Sequence, residues 1–183
     1  LSPTCIAPVQ WKTGQFVVLS GRIGDHWVNR SYTITAAPGQ PLEIAVKREP
    51  KGLFSRWLFD GALAEKELRI SPPRGESVWE PSSRPTVCFV AGIGVTPAVA
   101  IIRARASQQA VGPLHIDYSG RMPASMAFIG EFEAGAAANE DVSVEFHFTS
   151  TGARLCDAEI ADVVRKFPNA DFFICGPEIY MVQ

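Results

Sequence analysis

Residues 86–97 read TVCFVAGIGVTP. A charge-free, β-branched run, Thr86 to Ala91, enters the turn Gly92-Ile93-Gly94-Val95-Thr96-Pro97, and a helix-length segment, Ala98 to Gln109, follows. Such a run, bounded by glycine and feeding a helix, reads as a strand buried on both faces. The two glycines let backbone come close to a diphosphate, Thr96 is placed to cap the helix, and Pro97 suits a first turn that needs no amide donor. Exposed amides and the helix dipole then favour an anion. Pro97 stands where the third glycine of the standard dinucleotide fingerprint would be, so the turn is not that fingerprint.

The same unit recurs downstream. Apolar runs begin at Thr86, Leu114, Val142 and Asp171, spaced by 28, 28 and 29 residues, and end at Ala91, Tyr118, Phe148 and Cys175. The gaps have room for helices over Ala98–Gln109, Ser125–Ala137 and Asp157–Phe167; in the last, Ile160, Val163, Val164 and Phe167 recur at helical spacing. Strand and helix in alternation demand right-handed crossovers between parallel strands, hence a doubly wound sheet with ligands beyond its carboxyl ends.

Upstream the period changes. Short extended stretches over Cys5–Val9, Gln15–Ser20, Ser31–Ala36, Leu42–Lys47 and Glu67–Ser71 are punctuated by Gly14, Gly21, Gly24, Pro38, Gly39 and Pro41. This pattern predicts an antiparallel Greek-key barrel, interrupted by one helix over Leu53–Leu63. Pro72 to Pro85, with four prolines, is the expected hinge, giving domains 1–82 and 83–183.

Composition excludes several classes. With 46% hydrophobic and 20% charged residues over 183 positions, the chain is neither disordered nor fibrous. A net charge of −2 without a run of like charges points to no nucleic acid or charged membrane surface. No apolar run reaches the roughly 18 residues that span a bilayer, and no leader pattern is present, so the expected compartment is the cytoplasm. Cys5, Cys88, Cys156 and Cys175 are too dispersed for a zinc or iron-sulfur loop, and no metal is expected. The chain begins at Leu1 and stops at Gln183 within an apparent helical turn, which reads as part of a longer polypeptide, with the first barrel strand and the carboxyl terminus cut.

Cys175-Gly176-Pro177 follows the fourth parallel strand and should share the rim of the glycine turn. A cysteine nucleophile with His147 or His115 as base is the alternative, but neither histidine has an evident carboxylate to orient it. His26 reads as a solvated loop residue. In the first half, Arg30-Ser31-Tyr32-Thr33 alternates so that Arg30 and Tyr32 share one face and Ser31 and Thr33 the other. A cation beside an aromatic plate suits a ligand carrying a phosphate and a flat ring. Gly52-Leu53-Phe54-Ser55 offers a second turn before a helix for phosphate oxygens.

In order, Arg30-x-Tyr32-Thr33, Gly52-x-x-Ser55, Gly92-x-Gly94-x-Thr96-Pro97, Tyr118-Ser119-x-Arg121 and Cys175-Gly176-Pro177 resemble the motifs of the ferredoxin-NADP reductase superfamily. The resemblance implies that Tyr32 stacks on a flavin isoalloxazine, that Thr33 places its hydroxyl near N5, and that Arg30 binds the flavin phosphate. By the same resemblance Gly52 and Ser55 hold the pyrophosphate, with Ser31 and Lys47 in the same cofactor-binding set. Gly92, Gly94, Thr96 and Pro97 take the nicotinamide coenzyme's diphosphate, and Cys175, Gly176 and Pro177 lie near its nicotinamide.

The implied reaction passes hydride from NADH or NADPH to the flavin, FAD in preference to FMN. Electrons then leave singly to an iron-sulfur, haem or oxygenase partner or fused domain. Tyr32, Thr33 and Cys175 are the expected catalytic residues. Asp117, 23 residues after Gly94, could accept from a ribose hydroxyl and favour NADH, whereas Ser119 and Arg121 could bind a 2′-phosphate. Phe128 offers no hydroxyl where NADPH-using members of the superfamily often carry tyrosine. A non-catalytic flavin- or nucleotide-binding regulator is the alternative reading.

Overall fold

The computed structural model describes residues 9–61, 66–108 and 112–182. The chain divides into two compact units, Leu1–Trp79 and Glu80–Gln183.

In the first unit, β1 (Phe16–Ile23) and β2 (His26–Thr33) form an antiparallel hairpin, and β3 (Leu68–Ile70) pairs with the other edge of β1. The hairpin closes over Gly24-Asp25, where Gly24 takes φ +58°. Isolated bridges Phe16↔Arg74 and Ile34↔Ile44 extend the sheet. Val17, Ile34 and Ala36 are the buried core, with Trp11, Leu42, Ile44 and Ile70 against them. The helix α1 (Leu53–Phe59) lies over the sheet face.

Several first-half expectations change. Gly21 does not break a strand; it lies inside β1, because a Cβ there would meet the Trp57 ring at 2.3 Å. The bare backbone is what lets α1 press its aromatics onto the sheet. His26 is not in a loop but opens β2 opposite Ile23, with its side chain exposed. Leu42–Lys47 forms no strand, only the bridge at Ile44 and a hydrogen bond from Thr35 N–H to the Glu43 carbonyl at 2.8 Å. The helix expected over Leu53–Leu63 ends at Phe59, because the chain turns extended at Asp60 and left-handed at Gly61; most of Cys5–Val9 lies outside the described residues.

The second unit is a four-stranded parallel sheet of β4 (Thr86–Ala91), β5 (Leu114–Gly120), β6 (Val142–Phe148) and β7 (Asp171–Cys175), ordered β6-β5-β4-β7. All six residues of β4 are buried, as a central strand covered on both faces requires. On one face lie α2 (Thr96–Gln108) and α3 (Ile129–Ala138): the Ile102 Cδ1 methyl would be 2.4 Å from a Cβ on Gly135, and Phe132 meets the Tyr118 ring edge-on at 5.9 Å. On the other lies α4 (Asp157–Lys166), whose Ile160 and Val163, with Phe167 beyond it, pack on Val87, Phe89 and Leu155. A short α5 (Glu178–Met181) follows β7. No helix among the described residues is long and apolar enough to cross a membrane.

β5 runs two residues past the expected end at Tyr118. α3 begins at Ile129 rather than Ser125, because the chain first makes a tight turn at Pro123–Ser125 and then passes through Phe128 at φ +64°. The strand order reverses between β4 and β7, so the crevice at their carboxyl ends is the switch point where such sheets receive ligands.

Candidate functional site

In the first unit the register of β1 and β2 sets Tyr32 opposite Val17 and Arg30 opposite Leu19. Both therefore point to the face that α1 covers. The Tyr32 ring lies 6.4 Å from that of Phe54, which lies 5.6 Å from Trp57. Arg30 and Tyr32 are neighbours on one face of β2; burial raises the Tyr32 hydroxyl's pKa, only partly offset by the nearby Arg30 charge. Arg30 and Ser31 are exposed, and Tyr32 and Thr33 half-buried. Arg30 Nη1 donates to its neighbour's carbonyl, Asn29 O, at 2.7 Å, and no carboxylate among the described residues pairs with it. Its charge faces water.

Gly52 opens α1. The Ser55 hydroxyl folds back to accept from Glu49 N–H at 3.1 Å, and a Cβ on Gly52 would stand 2.5 Å from it. A bare residue is thus needed for the turn to close, leaving the first-turn amides of α1 without intrahelical partners. Lys47 pairs with Glu49 at 2.8 Å, both half-exposed.

In the second unit Gly92–Val95 is one tight helical turn between β4 and α2. Gly92 adopts φ +57° with open space where its Cβ would be. Gly94 is the opposite case: a Cβ would lie 2.5 Å from the Cys175 carbonyl oxygen and 2.7 Å from Gly176 N. A Cβ on Gly176 would in turn stand 3.0 Å from that of Ala91. The glycine turn and Cys175-Gly176-Pro177 are therefore one rim, built on backbone contact. The Tyr118 hydroxyl donates to the Gly92 carbonyl at 3.3 Å from beneath. Thr96 does not cap α2: it is already helical, and its hydroxyl donates to the Ile93 carbonyl at 3.3 Å. Pro97 lies in the first turn of α2.

Asp117 is not a solvent-facing acceptor. It is 2% exposed, with Oδ2 2.9 Å from His115 Nε2 and Oδ1 2.7 Å from His147 Nε2. Burial pushes its carboxyl up, and the hydrogen bonds and charge of the two imidazoles more than offset that, holding it below the usual carboxylate range. Both histidines thus do have an orienting carboxylate, contrary to the sequence reading. His115 Nδ1 also meets the Ser143 hydroxyl at 2.8 Å. Ser119 is likewise buried; its hydroxyl faces that of Tyr180 without closing a hydrogen bond. Arg121 is exposed just past β5. Phe128 is half-buried at the start of α3, with the Arg103 guanidinium 5.5 Å above its ring. Burial raises the Cys175 thiol, the reverse of what a nucleophile needs, and both imidazoles are engaged with Asp117.

The histidine cluster had one signal in sequence. A 28-residue strand period makes residues 28 apart register partners, so Ser119 meets His147 and Asp117 meets Glu145.

Residues 3–79 match the family model described as an oxidoreductase FAD-binding domain. The chain is 31% identical over 182 residues to a flavohemoprotein of Pseudomonas aeruginosa, covering 94% of this chain and 46% of that protein. It is 30% identical over 179 residues to the ferredoxin reductase component of a 3-ketosteroid-9-alpha-monooxygenase from Mycolicibacterium smegmatis, covering 94% and 50%. The chain thus spans about half the length of these curated relatives. Among solved structures, flavohemoglobin from Malassezia yamatoensis with bound FAD and heme superposes with a TM-score of 0.81 at 25% identity, over 99% of this chain and 49% of that one. With an antiparallel unit, a doubly wound parallel unit and these likenesses, the chain resembles flavoprotein reductases of the ferredoxin-NADP reductase superfamily along nearly its whole length.

Proposed function

We propose that this chain is the reductase module of an electron-transfer system. It would take hydride from NADH or NADPH onto bound FAD and pass electrons singly to an iron-sulfur, haem or oxygenase partner, separate or fused. The observation that supports the reading is the backbone rim at the carboxyl ends of β4 and β7, where Gly94 packs so close to the Cys175–Gly176 peptide that any Cβ would break the contact, while the position of a Cβ on Gly92 is open space. When bound, the flavin accepts hydride and releases electrons one at a time.

The chain's own residues do the holding. Tyr32 supplies a half-exposed aromatic face for the flavin ring, Thr33 a hydroxyl beside it, and Arg30 an unpaired cation for phosphate, which fits the donor set such a group needs. Ser31, Lys47 and the Gly52–Ser55 turn complete that site. Gly92, Gly94, Thr96 and Pro97 receive the coenzyme diphosphate on backbone, and Cys175, Gly176 and Pro177 border the nicotinamide. With Asp117 and Ser119 buried, selection between NADH and NADPH falls to Arg121.

Flavin-stripped protein offered FAD or FMN, then NADH or NADPH without air, tests this reading. Retention of FAD and bleaching by one coenzyme are expected. A colourless protein that refuses both flavins contradicts the assignment, and a yellow one that neither coenzyme bleaches is a binding module without transfer.

A further inference from the structure

Beneath the rim, on the face of the parallel sheet that α4 covers, one side chain runs from α5 toward β5. The register pairs Phe89 with Asp117 and Ala91 with Ser119, so these four share that face. Tyr180 packs there against Val87, Phe89 and Leu155, the half-buried anchor of a helix whose Glu178, Ile179 and Met181 are exposed. A Cβ on Gly176 would stand 2.9 Å from Tyr180 Cδ1, and Tyr180 N–H donates to the Pro177 carbonyl at 2.8 Å. The rim peptide therefore touches the glycine turn through Gly94 and the tyrosine ring through Gly176, and a shift of the ring carries the rim with it.

The Tyr180 and Ser119 hydroxyls are both buried and face each other, and neither closes a hydrogen bond with a described residue. Burial, aided by the Asp117 charge and opposed by Ser119, pushes the Tyr180 hydroxyl up to about 12, so it stays neutral and able to donate. Ser119 is fixed in β5, paired by β4 on one edge and β6 on the other, whereas Tyr180 rides on a helix of four residues. Closing the pair thus draws Tyr180 toward β5 and takes Gly176 with it. An open pair of buried hydroxyls is costly, and closing it returns a neutral hydrogen bond.

The geometry points to Tyr180 as a positioning residue: its ring bears on Gly176, and its hydroxyl, closing on Ser119, sets where the Cys175-Gly176-Pro177 rim stands when a nicotinamide coenzyme is bound. This rests on the reading that the rim borders the nicotinamide. Neither hydroxyl needs to touch the coenzyme; both act through the rim peptide. A ring alone would support the rim. What the hydroxyl adds is a bond that closes in the loaded state, so its worth appears in coenzyme binding and not in the stability of the coenzyme-free chain.

The test titrates the FAD-loaded chain, without turnover, with NAD⁺ and NADP⁺ by calorimetry, and compares Tyr180→Phe, Ser119→Ala and both together. Each single change should weaken the coenzyme that the wild-type chain binds about threefold to tenfold, one neutral hydrogen bond's worth. The double variant should lose no more than either single one, and melting of the coenzyme-free protein should not fall. Tyr180→Leu, which takes the ring as well, should also slow flavin bleaching at saturating NADH or NADPH at least about tenfold. Wild-type affinity in Tyr180→Phe, losses that add in the double variant, or a matching fall in melting temperature each overturns the positioning role. Reduction of the wild-type flavin by coenzyme would then leave the reductase reading standing. A wild-type chain that binds neither coenzyme overturns both.

Discussion

The two units handle polar groups in opposite ways. In Leu1–Trp79 two of the candidate ligand-holding side chains, Arg30 and Ser31, stand in water, Tyr32 and Thr33 are half-buried, and Arg30 donates only to a backbone carbonyl. In Glu80–Gln183 the side chains of Asp117, Ser119, His115 and His147 are buried, and the rim itself is backbone, Gly92 and Gly94 against Cys175–Gly176. The difference teaches where binding free energy should reside. On the proposed reading a flavin on the first unit would depend on side-chain charge, whose deletion is expected to spare the fold because Arg30 is exposed. A coenzyme on the second would depend on the bare backbone of the rim, and the polar side chains beneath it are buried among one another.

The largest expected effect lies beneath the rim. Asp117→Ala leaves two buried imidazoles without their acceptor and should destabilise the second unit by about 3 to 5 kcal/mol. Denaturant unfolding measures this, and a loss under 1 kcal/mol would mean that water already serves the two rings. Next, Gly94→Ala must push the Cys175–Gly176 peptide away, and a displacement near 1 Å should cost on the order of 10²-fold in kcat/KM for NAD(P)H while flavin stays bound. Equal loss of flavin and coenzyme would erase the division between the units.

On the first unit, Arg30→Ala should weaken flavin by roughly 1.5 to 3 kcal/mol, a charged contact's worth, with melting of the flavin-free protein unchanged. Retained flavin would place the phosphate elsewhere. The smallest effect is Arg121→Ala, expected to cost NADPH about 1 to 3 kcal/mol in a steady-state comparison while sparing NADH. Equal losses for both coenzymes would remove Arg121 from 2′-phosphate recognition.

The same contrast decided what the sequence made legible. Three of the four parallel strands fall at the expected residues, Thr86–Ala91, Val142–Phe148 and Asp171–Cys175; the first is the covered strand, written as a continuous apolar run, and the other two lie at the sheet's edges, where the strand and helix period places them. The first unit was harder to read. Gly21 looks like punctuation until the Trp57 ring above it is known, and Leu42–Lys47 has strand composition but pairs only at Ile44. At the rim, glycine and proline positions announced the turn. The fate of Asp117 did not show, because its acceptor role is set by His147, 30 residues away on a neighbouring strand, and by His115 on its own. Spacing within one strand shows a shared face; it does not show what closes over that face.

The central proposal is that charge on the first unit holds a flavin, that bare backbone on the second holds a nicotinamide coenzyme, and that hydride passes from the coenzyme to the flavin. Anaerobic rapid mixing of the FAD-loaded chain with NADH or NADPH carrying deuterium at the transferred position measures it. The account predicts flavin bleaching that saturates with coenzyme and slows on deuteration. Bound FAD that neither coenzyme reduces, or that is reduced no faster than FAD free in solution, would contradict it.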